Sequence, residues 1–317
     1  ELFVRWMQLG AFLPWFRNHY NGYDKAFQEP WAYDATIADH CRRIVHLRYR
    51  LLQVIYDAMY HWTQTGMPIA RALFLNDADD REVYDHLDDQ FFLGRDLMIA
   101  PIVHPAAAGE LARRQVYLPA GVDWYPFSIE DAALPPPLAG GRLLDVHADL
   151  GMLPLYVRAG AILPLRTLAE DWVGQRPDNP LRITCYPGAD RDYLLYQDDG
   201  ITTAAATAAA YRTTRISQST LGATRCVRLE RLHDGYTPPE TCCFVALRGC
   251  PLPVMVSIDG VTLPGEMLSE ETRPDASESA AFSRSAAEAY VWNAATASVV
   301  VRIAACRARA DIRVSAA

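Results

Sequence analysis

The chain has 317 residues, half of them hydrophobic and 21% charged, with a formal net charge of −8 and a pI near 5.5. No basic face is available for nucleic acid, and no apolar run reaches the roughly 18–20 residues that span a bilayer. A chain of this length buries a substantial core and calls for more than one structural unit.

In chain order, Glu1–Leu9 reads as the end of a helix and Ala11–Phe16 as a short apolar strand. Residues 18–30 form a polar loop. A long helix follows from about Ala35 to Thr65, because Ile44, Leu47, Leu51, Val54, Ile55, Ala58, Met59 and Trp62 recur at steps of three and four. Gly66 is its stop signal. Pro68–Leu75 reads as a strand running into an Asp-rich loop, and Glu82–Leu93 as a short helix. Strand, helix, strand, helix is the order of a (β/α) barrel's closing units. From Leu97 onward the pattern turns to short β-strands separated by turn residues, the signature of β-sandwiches. Asp198-Asp199-Gly200 is a hairpin-type turn signal and Pro135-Pro136-Pro137 a stiff surface loop. Ala204–Ala210 and the stretch from Ser277 to Glu288 read as exposed insertions.

Four segments carry a family resemblance. The opening run through Phe16-Arg17-Asn18-His19 to Gln28-Glu29-Pro30-Trp31 resembles a late-barrel segment of glycoside hydrolase family 31, the family of α-glucosidases and α-xylosidases. Phe92–Pro101 is similar to the family's crossing into its first C-terminal β-domain. Arg158-Ala159-Gly160 with Pro164, and Tyr196-Gln197-Asp198-Asp199-Gly200, resemble two further family motifs, with Gln197 where the pattern more often has Glu. The resemblance implies closing β/α units of a TIM (β/α)8 barrel followed by two C-terminal β-sandwich domains, an α/β plus all-β chain. The expected division is barrel 1–95, proximal β-domain 96–167 and distal β-sandwich 168–317. It further implies a retaining α-glycosidase, most similar to α-glucosidases, acting without metal or cofactor. Two aspartates roughly 5–5.5 Å apart perform double displacement in such enzymes. The resemblance places both upstream of Glu1, so this chain alone is expected to be inactive and to need the missing N-terminal part of the same protein. The substrate implied is an α-glucoside or oligosaccharide.

Within the chain, the resemblance points His19 at a ring hydroxyl of the innermost sugar; read from spacing alone, the same histidine bonds nearby backbone. Imidazole offers one donor and one acceptor, which suits a hydroxyl. Arg17 is expected as a buried partner orienting site carboxylates, or as a plain ion pair. Phe16 and Trp15 either wall the sugar pocket or pack in the core. Glu29 is read as structural rather than as a catalytic acid, and Asn76–Asp80 as a solvated loop rather than a calcium site. The histidines at 40, 46, 61, 86 and 104 show no metal-ligand spacing. The seven cysteines lack any CxxC pair and read as buried small hydrophobes. No secretory pattern follows Glu1, which fits a truncated or processed chain and leaves the compartment open. Two alternatives stay open: a non-enzymatic carbohydrate-binding or scaffold protein, and an inactive truncated product.

Overall fold

The computed structural model describes residues 1–19, 22–23, 27–128, 133–268, 288–305 and 307–316. Cys306, residues 277–287 of the second expected insertion, and positions 20, 21 and 24–26 of the 18–30 loop lie outside the described residues. The chain divides into two compact units, one of residues 1–127, 137–158 and 169–171, the other of 128–136, 159–168 and 172–317.

The first unit opens with two helices, α1 (Leu2–Gly10) and α2 (Ala35–Thr65). Asp34 starts α2, its Oδ1 accepting the Ile37 N–H at 2.9 Å, and Gly66 ends it in the left-handed region at φ 76°. Ile44, Leu51, Val54, Ile55 and Ala58 are buried as the helical period requires, while Met59 and Trp62 are exposed. On α1 the buried Arg5 and Gln8 grip a distant turn: Arg5 donates to the carbonyls of Met152 and Asp149, both at 3.0 Å, and Gln8 to that of Leu150 at 2.8 Å.

The expected strand at Ala11–Phe16 does not form. The N–H groups of Phe12 and Leu13 bond back to Leu9 and Gly10, at 3.2 and 3.1 Å, so the end of α1 tightens into a turn. Pro14 then lacks the N–H a ladder needs. Among the described residues no strand precedes Ala70, and the strand–helix–strand–helix order of barrel units is absent.

Eight strands complete this unit: β1 (Ala70–Ala72), β2 (Phe91–Leu93), β3 (Leu97–Ile99), β4 (Ala112–Leu118), β5 (Asp123–Pro126), β6 (Leu138–Ala139), β7 (Arg142–Ala148) and β8 (Leu155–Arg158). Six of them form an antiparallel sheet in the order β1-β2-β3-β8-β5-β6, and β4 pairs with β7 as a ribbon. Sheet and ribbon share a core of Phe92, Met98, Val116, Leu118, Trp124, Val146 and Tyr156. The Pro68–Leu75 expectation shrinks to β1 and a 3-10 turn at Leu73–Leu75. The Glu82–Leu93 helix is replaced by a 3-10 turn at Arg81–His86 and by β2, because the bulky Phe91, Phe92 and Leu93 pair across Gly94 with β3.

Asn76–Asp80 is not a solvated loop. Asn76 donates to the carbonyls of Gly94 and Arg95 at 3.1 and 3.2 Å, and Asp77 accepts from buried Arg158 at 2.7 Å. Asp80 caps the 3-10 turn at 3.2 Å and accepts from the Tyr117 hydroxyl at 2.8 Å; burial, aided by this bond, raises the Tyr117 pKa and keeps the phenol protonated. Arg158 also lies 4.6 Å over the Trp124 ring and 5.4 Å over Phe92.

The second unit is a β-sandwich. Its strands are β9 (Ile162–Arg166), β10 (Leu181–Cys185), β11 (Arg191–Gln197), β12 (Arg212–Leu221), β13 (Thr224–Asp234), β14 (Cys242–Leu247), β15 (Pro253–Ile258), β16 (Val261–Thr262), β17 (Gly265–Leu268), β18 (Ala289–Asn293), β19 (Ser298–Ala304) and β20 (Arg309–Ala316), with a short helix α3 (Ala204–Ala208). One sheet runs β17-β18-β19-β14-β10-β9, with β10–β14 and β17–β18 parallel; the other runs β11-β12-β13-β20-β15-β16, antiparallel throughout. Alternation sends Ala310, Ile312 and Val314 of β20 inward against Val299, Val301 and Ile303 of β19. Gly160 is fixed by space as well as by its φ of 83°, since a Cβ there would stand 2.6 Å from the Ala189 carbonyl oxygen. The Asp198-Asp199-Gly200 turn, with Gly200 at φ 65°, opens the connection between the antiparallel neighbours β11 and β12; Asp199 accepts the N–H groups of Ile201 and Thr202 at 3.0 Å and leads the chain into α3, part of the Ala204–Ala210 insertion. Among the described residues Cys41, Cys185, Cys242 and Cys250 are buried, Cys226 and Cys243 half-buried, and all six are free thiols. No described helix is long and apolar enough to cross a membrane.

Candidate functional site

The Arg17-Asn18-His19 segment is positioned from beneath. Leaving α1, the chain buries Ala11 and Phe12 completely, then emerges at Trp15. One side chain from α2 fixes that path: Arg48 donates to the carbonyls of Ala11 at 2.7 Å, Leu13 at 2.8 Å and Pro14 at 3.3 Å. Its guanidinium carbon also lies 5.2 Å over the Phe16 ring. Burial lowers the Arg48 pKa from its ordinary value, opposed by the nearby Tyr49 phenol. Guanidinium stays charged regardless, so the clamp does not titrate near neutral pH.

Beyond this clamp the side chains face outward. Phe16 is half-buried between Arg48 and Gly10, while Arg17, Asn18 and His19 are exposed. Arg17 is exposed and makes no ion pair among the described residues. Asn18 donates its side-chain N–H to the Gln28 carbonyl, tying this segment to Gln28-Glu29-Pro30-Trp31. Glu29 is half-buried and starts the 3-10 turn at Pro30–Ala32 through its carbonyl, which accepts from Ala32 at 2.8 Å. Trp15, Tyr23, Phe27 and Trp31 are all exposed. No group of His, Cys, Asp and Glu fit to hold a metal occurs among the described residues.

Arg48 is the positioning residue that pattern reading misses. A signal exists, since Ile44, Arg48, Leu51 and Ile55 share one helical face and a cation on an apolar stripe needs buried acceptors.

Residues 1–58 match the family model described as the glycosyl hydrolases family 31 TIM-barrel domain, and residues 66–163 the glycosyl hydrolase family 31 C-terminal domain. The chain belongs to glycoside hydrolase family 31. Family 31 relatives include an alpha-xylosidase of Saccharolobus solfataricus, 34% identical over 207 residues, and alpha-glucosidase 2 of Bacillus thermoamyloliquefaciens, 34% identical over 205. Each alignment takes in 64% of this chain but only 26% and 24% of the relative, so the chain spans about a quarter of their length. Among solved structures it is similar to a family 31 dextranase of Flavobacterium johnsoniae complexed with glucose, at 25% identity and a TM-score of 0.86 over 99% of this chain and 37% of that one. An alpha-1,4-glucan lyase of Gracilariopsis lemaneiformis gives 26% identity and a TM-score of 0.85, over 98% and 32%. The family 31 likeness fits part of a TIM barrel followed by β domains. The Arg17-Asn18-His19 segment falls in the part matched to the barrel domain, and Arg158 and Gly160 in the part matched to the C-terminal domain.

Proposed function

We propose that this chain is the C-terminal portion of a retaining α-glycosidase acting on α-linked glucosides or oligosaccharides. In this reading His19 hydrogen-bonds a hydroxyl of the innermost sugar, Phe16 flanks it, and Arg17 orients carboxylates supplied by sequence outside these 317 residues. Both catalytic aspartates come from that same outside sequence, so the chain by itself is silent. The observation that supports the reading best is the solvent-facing His19 at the end of a segment locked by Arg48, in sequence matched to the family 31 barrel. Exposed Arg17, Trp15 and Trp31 fit the same reading, as side chains awaiting the rest of the barrel.

The test has two arms. The chain alone is incubated with 4-nitrophenyl α-D-glucopyranoside and with the α-xyloside, and no turnover above buffer is expected. The chain joined to its upstream coding sequence is then assayed, and turnover of the glucoside is expected to fall at least tenfold in kcat/KM on His19→Ala. Turnover by the chain alone, or indifference to His19→Ala in the joined protein, refutes the assignment. A joined protein that binds oligosaccharide without turning over either substrate supports the scaffold alternative instead.

A further inference from the structure

The second unit holds a cleft of its own. At one end of the sandwich the two sheets part around about 50 Å³, walled on the apolar side by Leu181, Ile183 and Ile303. A water needs roughly 10–15 Å³ measured this way, so the cleft takes a group of about three to five heavy atoms. Its polar side carries Glu240 with Arg212, Arg231 and Arg307, and the uncharged Gln197 and Thr214.

Glu240 is the residue that points to a ligand. It is only 8% exposed, and one carboxylate oxygen takes an N–H from Arg166. The other, Oε2, is buried and has no hydrogen-bond partner among the described residues. Arg212 and Arg231 both bond Asp234, at 3.0 and 3.3 Å, and Arg231 also donates to the carbonyls of Ala305 and Arg307 at 3.0 and 2.8 Å. The cleft therefore asks for a hydrogen-bond donor while sorting by charge. All three arginines are already engaged by carboxylates, Arg212 and Arg231 by Asp234 and Arg307 by Glu288 and Asp259, which leaves no uncompensated cation for an anion, and their guanidinium groups repel a cation. A neutral hydroxyl meets both demands, donating to Oε2 and accepting from an arginine N–H, while its carbon skeleton lies on Leu181, Ile183 and Ile303.

We propose that this cleft is a binding subsite for a neutral polyol, taking glycerol or the hydroxymethyl end of a monosaccharide. The proposal does not depend on the α-glucosidase reading. The test is methyl NMR on the whole 317-residue chain, labelled at Ile and Leu and titrated in separate arms with glycerol and with D-glucose. Saturable shifts are expected at Ile183 and Ile303, with Ile258 of β15 unmoved. Glu240→Gln keeps an acceptor for Arg166 but turns the free arm into a donor, and is expected to weaken binding at least tenfold without lowering the melting temperature by more than a few degrees. Saturation by glycerol alone identifies a three-carbon polyol, and saturation by both a sugar's hydroxymethyl end. Shifts that stay linear in both arms, or persist unchanged in Glu240→Gln, overturn the proposal. Should Glu240→Gln fail to fold, loss of the saturable Ile183 shift when D-glucose is replaced by its 6-deoxy analogue serves as the second measure, and its retention overturns the sugar assignment.

Discussion

Replacing Arg48 with Met keeps the unbranched stem that packs in α2 and removes the charged fork above Phe16. Three hydrogen bonds are lost, at 2.7, 2.8 and 3.3 Å. A bond from a charged donor contributes about 1.5–3 kcal/mol, but the longest of these is weak and ends on an exposed proline carbonyl. The Ala11 carbonyl belongs to a completely buried residue, and stranding it costs about 1–3 kcal/mol. Relief of the guanidinium's own desolvation offsets part of this, since burial already lowers its pKa. The balance is a loss of about 2–3 kcal/mol confined to residues 11–16, which is roughly a 30- to 150-fold rise in local opening. Hydrogen exchange read by mass spectrometry on a peptide covering residues 10–19 measures it directly, because the Phe12 and Leu13 amides are protected by Leu9 and Gly10. Arg48→Lys should fall between, as one ammonium cannot span three carbonyls. Unchanged exchange in Arg48→Met, with peptides from β12 and β13 also unchanged, would refute the clamp.

Arg158→Met should destabilise the first unit by about 3–5 kcal/mol, because it strands the largely buried Asp77 carboxylate and removes one of the cations beside Asp96; the urea midpoint followed by tryptophan emission checks it, and a loss under 1 kcal/mol counts against the hub. Burial pushes the Cys185 thiol up to about 12, with Arg225 pulling the other way. At pH 8 only about one thiol in ten thousand is then ionised, so iodoacetamide should leave Cys185 unlabelled until urea unfolds the sandwich, as peptide mass mapping would show. A hydrogen bond from Arg307 holds the Glu288 carboxyl below its usual range. A depressed acid stabilises the fold above its unfolded pKa and loses that contribution as pH falls through the folded value. Glu288→Gln should therefore cost about 0.5–1 kcal/mol at pH 7 and nothing near pH 2, read by chemical denaturation at both pH values.

How much of this was legible depends on how local each cause is. α2 is written twice in the sequence, in its apolar steps of three and four and in Asp34 and Gly66 at its ends. The β character of the chain beyond Leu97 is legible because short apolar runs between turn residues need only the strand itself, as in β14 and β19, whereas β12 and β20 escape that reading. Ala11–Phe16 is an apolar run too short for periodicity to separate strand from turn, and the deciding fact is a pair of bonds back into α1. β2 hides behind the acidic, helix-compatible residues that precede it, and only the partner strand β3 reveals it. The Asp-rich loop misleads for the same reason: Asp77 and Asp80 look solvated until Arg158 and Tyr117, 81 and 37 residues away, come to meet them. At the candidate site the motif itself is plain, but beneath it lies Arg48, whose place on an apolar helical face signals buried acceptors without saying that they are the carbonyls of residues 11–14.

The grip of Arg5 and Gln8 on the turn at residues 149–152 joins partners 142 to 147 positions apart. Closing a loop of that size costs about 4 kcal/mol of chain entropy before any contact repays it. On a ribosome adding roughly 5–20 residues per second, α1 waits on the order of 7–30 s for its partner turn to emerge. Throughout that interval the Arg5 and Gln8 side chains lack these carbonyl acceptors, so their grip on the 149–152 turn is among the last contacts of the first unit to form during synthesis.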